Sequence, residues 1–127
     1  MKDILIIGAG PGGYEAAIRG AQLGAEVVLI ERDEVGGTCL NRGCIPTKAL
    51  YRNAEIIHTL EHADTFGIEL EGFKINLDKI QQRKDGVVKE LVGGIAQLLE
   101  ANGIEVIKGH ATFLDAHTVK VTTLEGD

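Results

Sequence analysis

Apolar and polar positions alternate between two regimes along this chain: short unbroken apolar runs closed by glycine, and longer stretches with apolar residues at helical spacing. Residues 3–8, DILIIG, are an Ile-rich run stopped by glycine, which predicts a fully buried strand. PGGYEAAIRGAQLG follows, with Tyr14, Ala17, Ile18, Ala21 and Leu23 near helical spacing and Gly24 as the terminating glycine. Residues 25–31, AEVVLIE, predict a second buried strand that closes on an acid. The three together make a βαβ unit of about 30 residues, for which a right-handed parallel crossover is the default.

Further along, residues 48–63, KALYRNAEIIHTLEHA, predict a helix, and residues 64–73, DTFGIELEGF, a loop punctuated by Gly67 and Gly72. From Asn76 to Ala101 the residues Ile80, Val87, Val88, Leu91, Ile95, Leu98 and Leu99 fall on one face of a second long helix, against the weakening influence of Gly86, Gly93 and Gly94. NGIEVIKG predicts a turn and a third buried strand, and ATFLDAHTVKVTT two short strands around an Asp-Ala-His turn. No internal repeat, low-complexity segment or linker interrupts the pattern. The expected fold class is therefore α/β: a Rossmann-like parallel sheet with flanking helices and a small β-meander, all within one domain spanning residues 1–127.

Composition narrows the field. A hydrophobic content of 44% with 25% charged residues is that of a soluble globular chain. The 13 basic and 19 acidic residues leave a net charge of −6 with no basic stripe, which argues against nucleic acid as a partner. No apolar run reaches the roughly 18 to 20 residues of a membrane span. The start, MKDILIIGAG, enters a strand directly, without the pattern of a signal or transit peptide, so a cytoplasmic location is expected. In that compartment two closely spaced cysteines point to redox chemistry or metal rather than to a permanent clamp.

The glycines Gly8, Gly10 and Gly13 have the spacing GxGxxG between the first strand and the first helix. Gly8 permits the tight turn, Gly10 lets a pyrophosphate approach the backbone, and Gly13 lets the helix pack on the strand. Free N–H groups and the positive end of the helix dipole complete an anion site. Glu31, 18 residues after Gly13, ends the second strand where a carboxylate accepts hydrogen bonds from ribose hydroxyls and repels a 2′-phosphate. A dinucleotide is implied; the motif leaves NAD and FAD both open.

Cys39 and Cys44, the only cysteines, stand five positions apart. In a regular helix their Cα atoms would be about 8 to 9 Å apart, beyond the roughly 7 Å reach of a disulfide. Gly43 and Pro46 supply the means to distort that geometry. A zinc finger is disfavoured, because His58, His62, His110 and His117 complete no ligand spacing with the cysteines. A glycine turn and Thr38 as a cap would put Cys39 in a positive field that favours thiolate, which suits a redox pair.

GGTCLNRGCIPTKAL, taken with IIGAGPGGYEAA, closely resembles the class I flavin-dependent pyridine nucleotide-disulfide oxidoreductases. Leu40, Ile45 and KAL favour the lipoamide-oxidising members over those of the glutathione or mercuric reductase type, with Thr47 where Ser is frequent. GHATF near the end resembles the family's third-strand segment. The resemblance implies FAD as the cofactor and a redox-active Cys39–Cys44 disulfide. Cys39 would be the thiol that exchanges with substrate, and Cys44 the one facing the flavin. Gly8, Gly10, Pro11, Gly12 and Gly13 would cradle the pyrophosphate, Glu31 with Arg32 the adenosine ribose, and Gly37 with Thr38 the phosphate region. Lys48 would stand by the flavin ring, and the backbone of His110 and Ala111 by the adenine.

The resemblance also implies dihydrolipoyl groups of 2-oxoacid dehydrogenase or glycine-cleavage complexes as partners, NAD as cosubstrate and a homodimeric full-length form. The 127 residues hold no second glycine fingerprint and no interface domain, and TTLEGD carries no ending signal. The expectation is the N-terminal part of an FAD-binding domain, without turnover of its own; the histidine base of the family would come from the partner subunit. Two rivals remain. One is a flavin-binding module with no redox role. The other is a zinc peptidase, through the match of HTLEH (residues 58–62) to HxxEH, a five-residue pattern that a polar helix face meets readily by chance.

Overall fold

A computed structural model describes residues 1–123; residues 124–127, the end of the expected strand-and-turn terminus, lie outside the described residues. The βαβ unit forms as its pattern dictates. Strand β1 (Ile4–Ile7), helix α1 (Pro11–Gln22) and strand β2 (Val27–Glu31) follow in order, with Ile4 opposite Val27 and Ile7 opposite Ile30 in parallel register. Pro11 sits in the first turn of α1, where a missing N–H breaks no helical bond. At the other end the amide of Gly24 donates to Ala21, and the chain turns back towards β2.

Two helices then follow almost without a gap, α2 (Gly37–Arg42) and α3 (Cys44–Glu61), divided by Gly43 at φ −127°, ψ −109°. Helix α3 starts four residues earlier than its apolar pattern predicts, because Pro46 falls in its first turn, where no N–H is needed. A short 3₁₀ turn (Ala63–Phe66) opens the expected loop, and α4 (Leu77–Ala101) runs from Asn76, whose side chain accepts from the amide of Lys79. Gly86, Gly93 and Gly94 do not interrupt it. Helix α4 packs against α3, α1, α2 and the sheet along its length, and that tertiary contact outweighs a glycine cost of about 1 kcal/mol each.

Strand β3 (Glu105–Phe113) and strand β4 (Val119–Thr123) complete a sheet of order β1-β2-β3-β4. The expected meander is a hairpin, and its first strand is continuous with the third parallel strand. Residues 105–108 pair parallel with β2, and residues 109–113 pair antiparallel with β4. Gly109 does not stop the strand, because it faces Thr122 so closely that a Cβ there would lie 2.6 Å from the Thr122 carbonyl oxygen. The Asp-Ala-His turn forms as expected, with the amide of His117 donating to Asp115 at 2.7 Å.

The core gathers Ala9, Ala17, Val27, Leu29, Leu99 and Ile104, with Tyr14, Ile18 and Ile95 packed against it. Val27 to Ile30 are all buried, as expected of β2. The expectation of full burial fails for β1, where Ile4, Leu5 and Ile7 are 38%, 42% and 47% exposed. Among the described residues it pairs on one side only, with β2, as an edge strand. The same correction applies to β3, where Val106 is exposed although Ile104, just before the strand, is buried. On α4 the apolar face divides: Leu99 and Ile95 reach the core, whereas Leu91 and Leu98 remain exposed.

Candidate functional site

The glycine turn connects β1 to α1 at the C-terminal ends of the parallel strands. Gly8 has φ +98° and donates its amide to Ile30 on β2 at 2.7 Å, which closes the turn against the neighbouring strand. A Cβ at Gly13 would overlap the Gly8 carbonyl, so that residue is where α1 rests on the end of β1. Gly10 faces a second backbone. A Cβ on Gly37, at φ +61°, would lie 2.7 Å from the Gly10 Cα, and the amide of Gly36 donates to Ala9 at 2.8 Å. The start of α2 is thereby seated directly on the glycine turn.

Glu31 does more than end β2. Its Oε2 accepts from the amide of Ala9 at 2.7 Å and its Oε1 from the amide of Asp33 at 2.8 Å. The carboxylate thus ties the glycine turn to the loop after β2, and each oxygen keeps a lone pair for a further donor such as a ribose hydroxyl. Asp33 in turn holds Arg42, the last residue of α2, at 2.8 Å, and its carboxylate keeps the guanidinium pKa above the usual value. Lys108 on β3 reaches Glu34 at 3.2 Å. Both ion pairs are exposed and screened by water, so their effect is on the shape of the rim.

Between these elements lies an open cleft of about 540 Å³. Of the residues singled out from the sequence, Gly8, Gly10, Glu31 and Arg32 line it from the strand ends, and Gly37 and Thr38 from the start of α2. His110 and Ala111 close it from β3, just beyond the point where that strand leaves β2. Pro11, Gly12, Gly13 and Lys48 are not part of its lining. Sequence reasoning missed Asp33, Glu34 and Arg42, exposed charged groups whose pairing depends on the loop fold. It also missed Asn41, which donates to the carbonyls of Val35 and Gly37 at 3.1 and 2.9 Å and fixes the entry to α2. Its place inside the cysteine motif was the available signal.

The two thiols stand on either side of the break at Gly43: Cys39 inside α2 and Cys44 as the first residue of α3. Both are free, not bonded to each other, and they are close enough for the Cys44 side chain and amide to hydrogen-bond Cys39. The break thus provides the departure from regular helix that the spacing requires. The Cys39 pKa is raised, first by the hydrogen bond with the Cys44 thiol, then by burial and by the charge Cys44 would carry. The Cys44 amide and the charge of Lys48 pull it down, but less. The field expected to favour thiolate at Cys39 is therefore present but outweighed. Tyr14 on α1 is a further neighbour. Its phenol is raised by burial first, then by Glu15 and by Cys39.

His58 and His62 lie on the exposed side of the end of α3, away from the cleft lining, with their rings stacked at 4.3 Å between centroids. Among the described residues no three His, Cys, Asp or Glu side chains converge on one point, so HTLEH lacks the third ligand of a zinc peptidase. No helix among them is long and apolar enough to cross a membrane.

Known proteins are similar to this chain. Dihydrolipoyl dehydrogenase of Chlamydia trachomatis is 50% identical over 119 residues, 94% of this chain and 26% of that protein. The mitochondrial dihydrolipoyl dehydrogenase of Schizosaccharomyces pombe is 48% identical over 127 residues, 98% of this chain and 25% of that one. Among solved structures, the HOCl-induced flavoprotein disulfide reductase RclA of Escherichia coli, determined as its Cu(II) complex, is similar with a TM-score of 0.74 and 33% identity. It is covered over 24% of its length by 92% of this chain. The chain thus spans about a quarter of the length of these relatives. The sequence profile of the pyridine nucleotide-disulphide oxidoreductases matches residues 2–127, and with that match this chain belongs to the pyridine nucleotide-disulphide oxidoreductase family.

Proposed function

We propose that this chain is the N-terminal, FAD-holding part of a dihydrolipoyl dehydrogenase, which oxidises dihydrolipoyl groups of 2-oxoacid dehydrogenase or glycine-cleavage complexes at the expense of NAD. The observation that carries this reading is the contact between the Cys39 and Cys44 thiols across the Gly43 break, on a helix seated against a glycine turn. The residues present fit FAD. The backbone around Gly10 is open towards the cleft, Glu31 has acceptor capacity to spare, and the rim offers Thr38 and the backbone at His110 and Ala111. Pro11 and Gly12 open α1 directly after that turn, and Lys48, which the Cys39 thiol senses, is the cation for the ring end. When bound, FAD would accept two electrons from the reduced cysteine pair and pass them to NAD.

The chain's own residues perform thiol–disulfide exchange. In the oxidised pair, a dihydrolipoyl thiolate attacks Cys39 Sγ, forms a mixed disulfide and releases Cys44 as thiolate. The second substrate thiol then displaces Cys39 and closes the lipoyl disulfide, its proton ending on the departing Cys39 sulfur, whose pKa is raised. One disulfide has been formed and one broken, with two electrons now held by the cysteine pair. The free thiols of this structure correspond to that reduced arrangement. The lowering influence of Lys48 on Cys39 assists its departure, because a thiol of lower pKa leaves faster. The setting is cytoplasmic and the full-length form a homodimer.

Titration of a full-length form with dihydrolipoamide tests this. A long-wavelength thiolate-to-flavin absorption band should develop and should be lost in Cys44→Ser. Persistence of the band in that variant, or reduction by dithiol in Cys39→Ser at the wild-type rate, overturns the assignment and leaves a binding module. NAD-dependent dihydrolipoamide oxidation by the purified 127-residue chain would contradict its reading as a part.

A further inference from the structure

The end of α3 carries a feature that the cleft and the thiols do not use. His58 and His62 are one helical turn apart and both are exposed. Their rings lie nearly parallel, 28° between planes and 4.3 Å between centroids. The Nδ1 of His62 lies 2.9 Å from the carbonyl oxygen of His58. A carbonyl can only accept, so Nδ1 bears the proton and donates, and in the neutral ring the lone pair is left on Nε2. A ring held by a backbone carbonyl through one nitrogen, with the other nitrogen outward, is the state in which histidine binds a metal.

We propose that His58 and His62 form a bidentate site for one borderline divalent transition ion of the Ni(II), Cu(II) or Zn(II) class, with water completing the coordination. Two nitrogens at about 2.0 to 2.1 Å from one ion stand about 3 Å apart when they occupy neighbouring positions. His62 is already held through its Nδ1, so the His58 ring would turn out of the stack to bring its own nitrogen to the same ion. Imidazole nitrogen suits this class of ion and not magnesium or calcium. The position adds to the attraction: His62 is the C-terminal cap of α3, where the helix dipole favours positive charge. Glu55 and Glu61 on the last turns contribute negative charge, Glu55 shared with Arg52 at 3.3 Å. Because no third protein ligand among the described residues converges there, the site holds an ion without arranging it for peptide hydrolysis. Bound metal would clip the last turn of α3 shut.

Ni(II) is the probe, since it does not oxidise thiols as Cu(II) does, and both cysteines are alkylated beforehand so that sulfur cannot compete. Calorimetric titration of the 127-residue chain near neutral pH should show one Ni(II) per chain. Either His58→Ala or His62→Ala should weaken binding by at least roughly tenfold, because the second ligand acts at high effective concentration only when the first is present. The double variant should bind more weakly still, because each single variant keeps one imidazole. Both side chains are exposed, and far-UV circular dichroism checks that the variants keep their helices. Unchanged affinity in either single variant, or an equal loss in His117→Ala, would overturn the proposal.

Discussion

Gly37→Ala probes the seating of α2 on the glycine turn, and its cost can be worked from two separate contributions. The residue has φ +61°, where an L side chain costs about 1 to 2 kcal/mol. The new Cβ would also lie 2.7 Å from the Gly10 Cα, a backbone atom that cannot swing aside, and overpacking of this kind costs about 1 to 3 kcal/mol. The sum is about 2 to 5 kcal/mol. For a chain of this length, at roughly 4 °C per kcal/mol, the midpoint of thermal unfolding should fall by roughly 8 to 20 °C. Gly67→Ala isolates the first contribution, since Gly67 has φ +72° and nothing within 4 Å of its Cβ. That variant should lose only roughly 4 to 8 °C. Circular dichroism melts of the two variants side by side decide the matter. Equal losses would mean that the contact between Gly37 and Gly10 carries no weight, and the account of how α2 is held over the glycine turn would fall.

Other perturbations separate the remaining claims. Cys44→Ser removes the largest influence raising the Cys39 pKa; alkylation of Cys39 should therefore gain its pH-dependent rise at lower pH than in wild type, and an unmoved profile would contradict the assigned cause. Glu31→Ala strands the amides of Ala9 and Asp33, at a cost of about 1 to 3 kcal/mol for each that water does not reach, and should weaken FAD binding measured by flavin fluorescence; wild-type stability and affinity would refute the clamp. Gly86→Ala, in the interior of α4 with nothing within 4 Å of its Cβ, should raise the unfolding midpoint through a gain of about 0.5 to 1 kcal/mol, and a loss would reveal a contact that the fold does not show.

The parts that were legible from sequence are those whose cause is local. The turn at Gly8, the packing at Gly13, the proline at the head of α1 and the acid at the end of β2 each follow from backbone sterics or strand polarity within a few residues. The break at Gly43 was legible as a need, since regular helix cannot bring Cys39 and Cys44 together. What stayed hidden depends on partners far along the chain. An Ile-rich run says that a strand prefers burial, but not how many neighbours it finds, so β1 reads the same at an edge as at the centre of a sheet. Gly109 reads as a stop, yet it is a point of close passage between β3 and β4, visible only once the Thr122 carbonyl is brought alongside. The direction of the Cys39 shift depended on where the Cys44 thiol points, which spacing does not record. Arg42 and Asp33 could be read only as surface charges.

The one-sided pairing of β1 has a colloidal consequence. A free strand edge with the sequence Ile-Leu-Ile-Ile, lacking proline or an internal charge, is an adhesive template for any other extended chain. The far end of the sheet is β4, whose Lys120 and threonines make a different edge, so the self-complementary contact open to two copies is β1 laid antiparallel against β1 about a two-fold axis. Concentrated solutions of the 127-residue chain should then form closed dimers before larger assemblies, and a polypeptide that lays one more strand along β1 would keep the same fold dispersed.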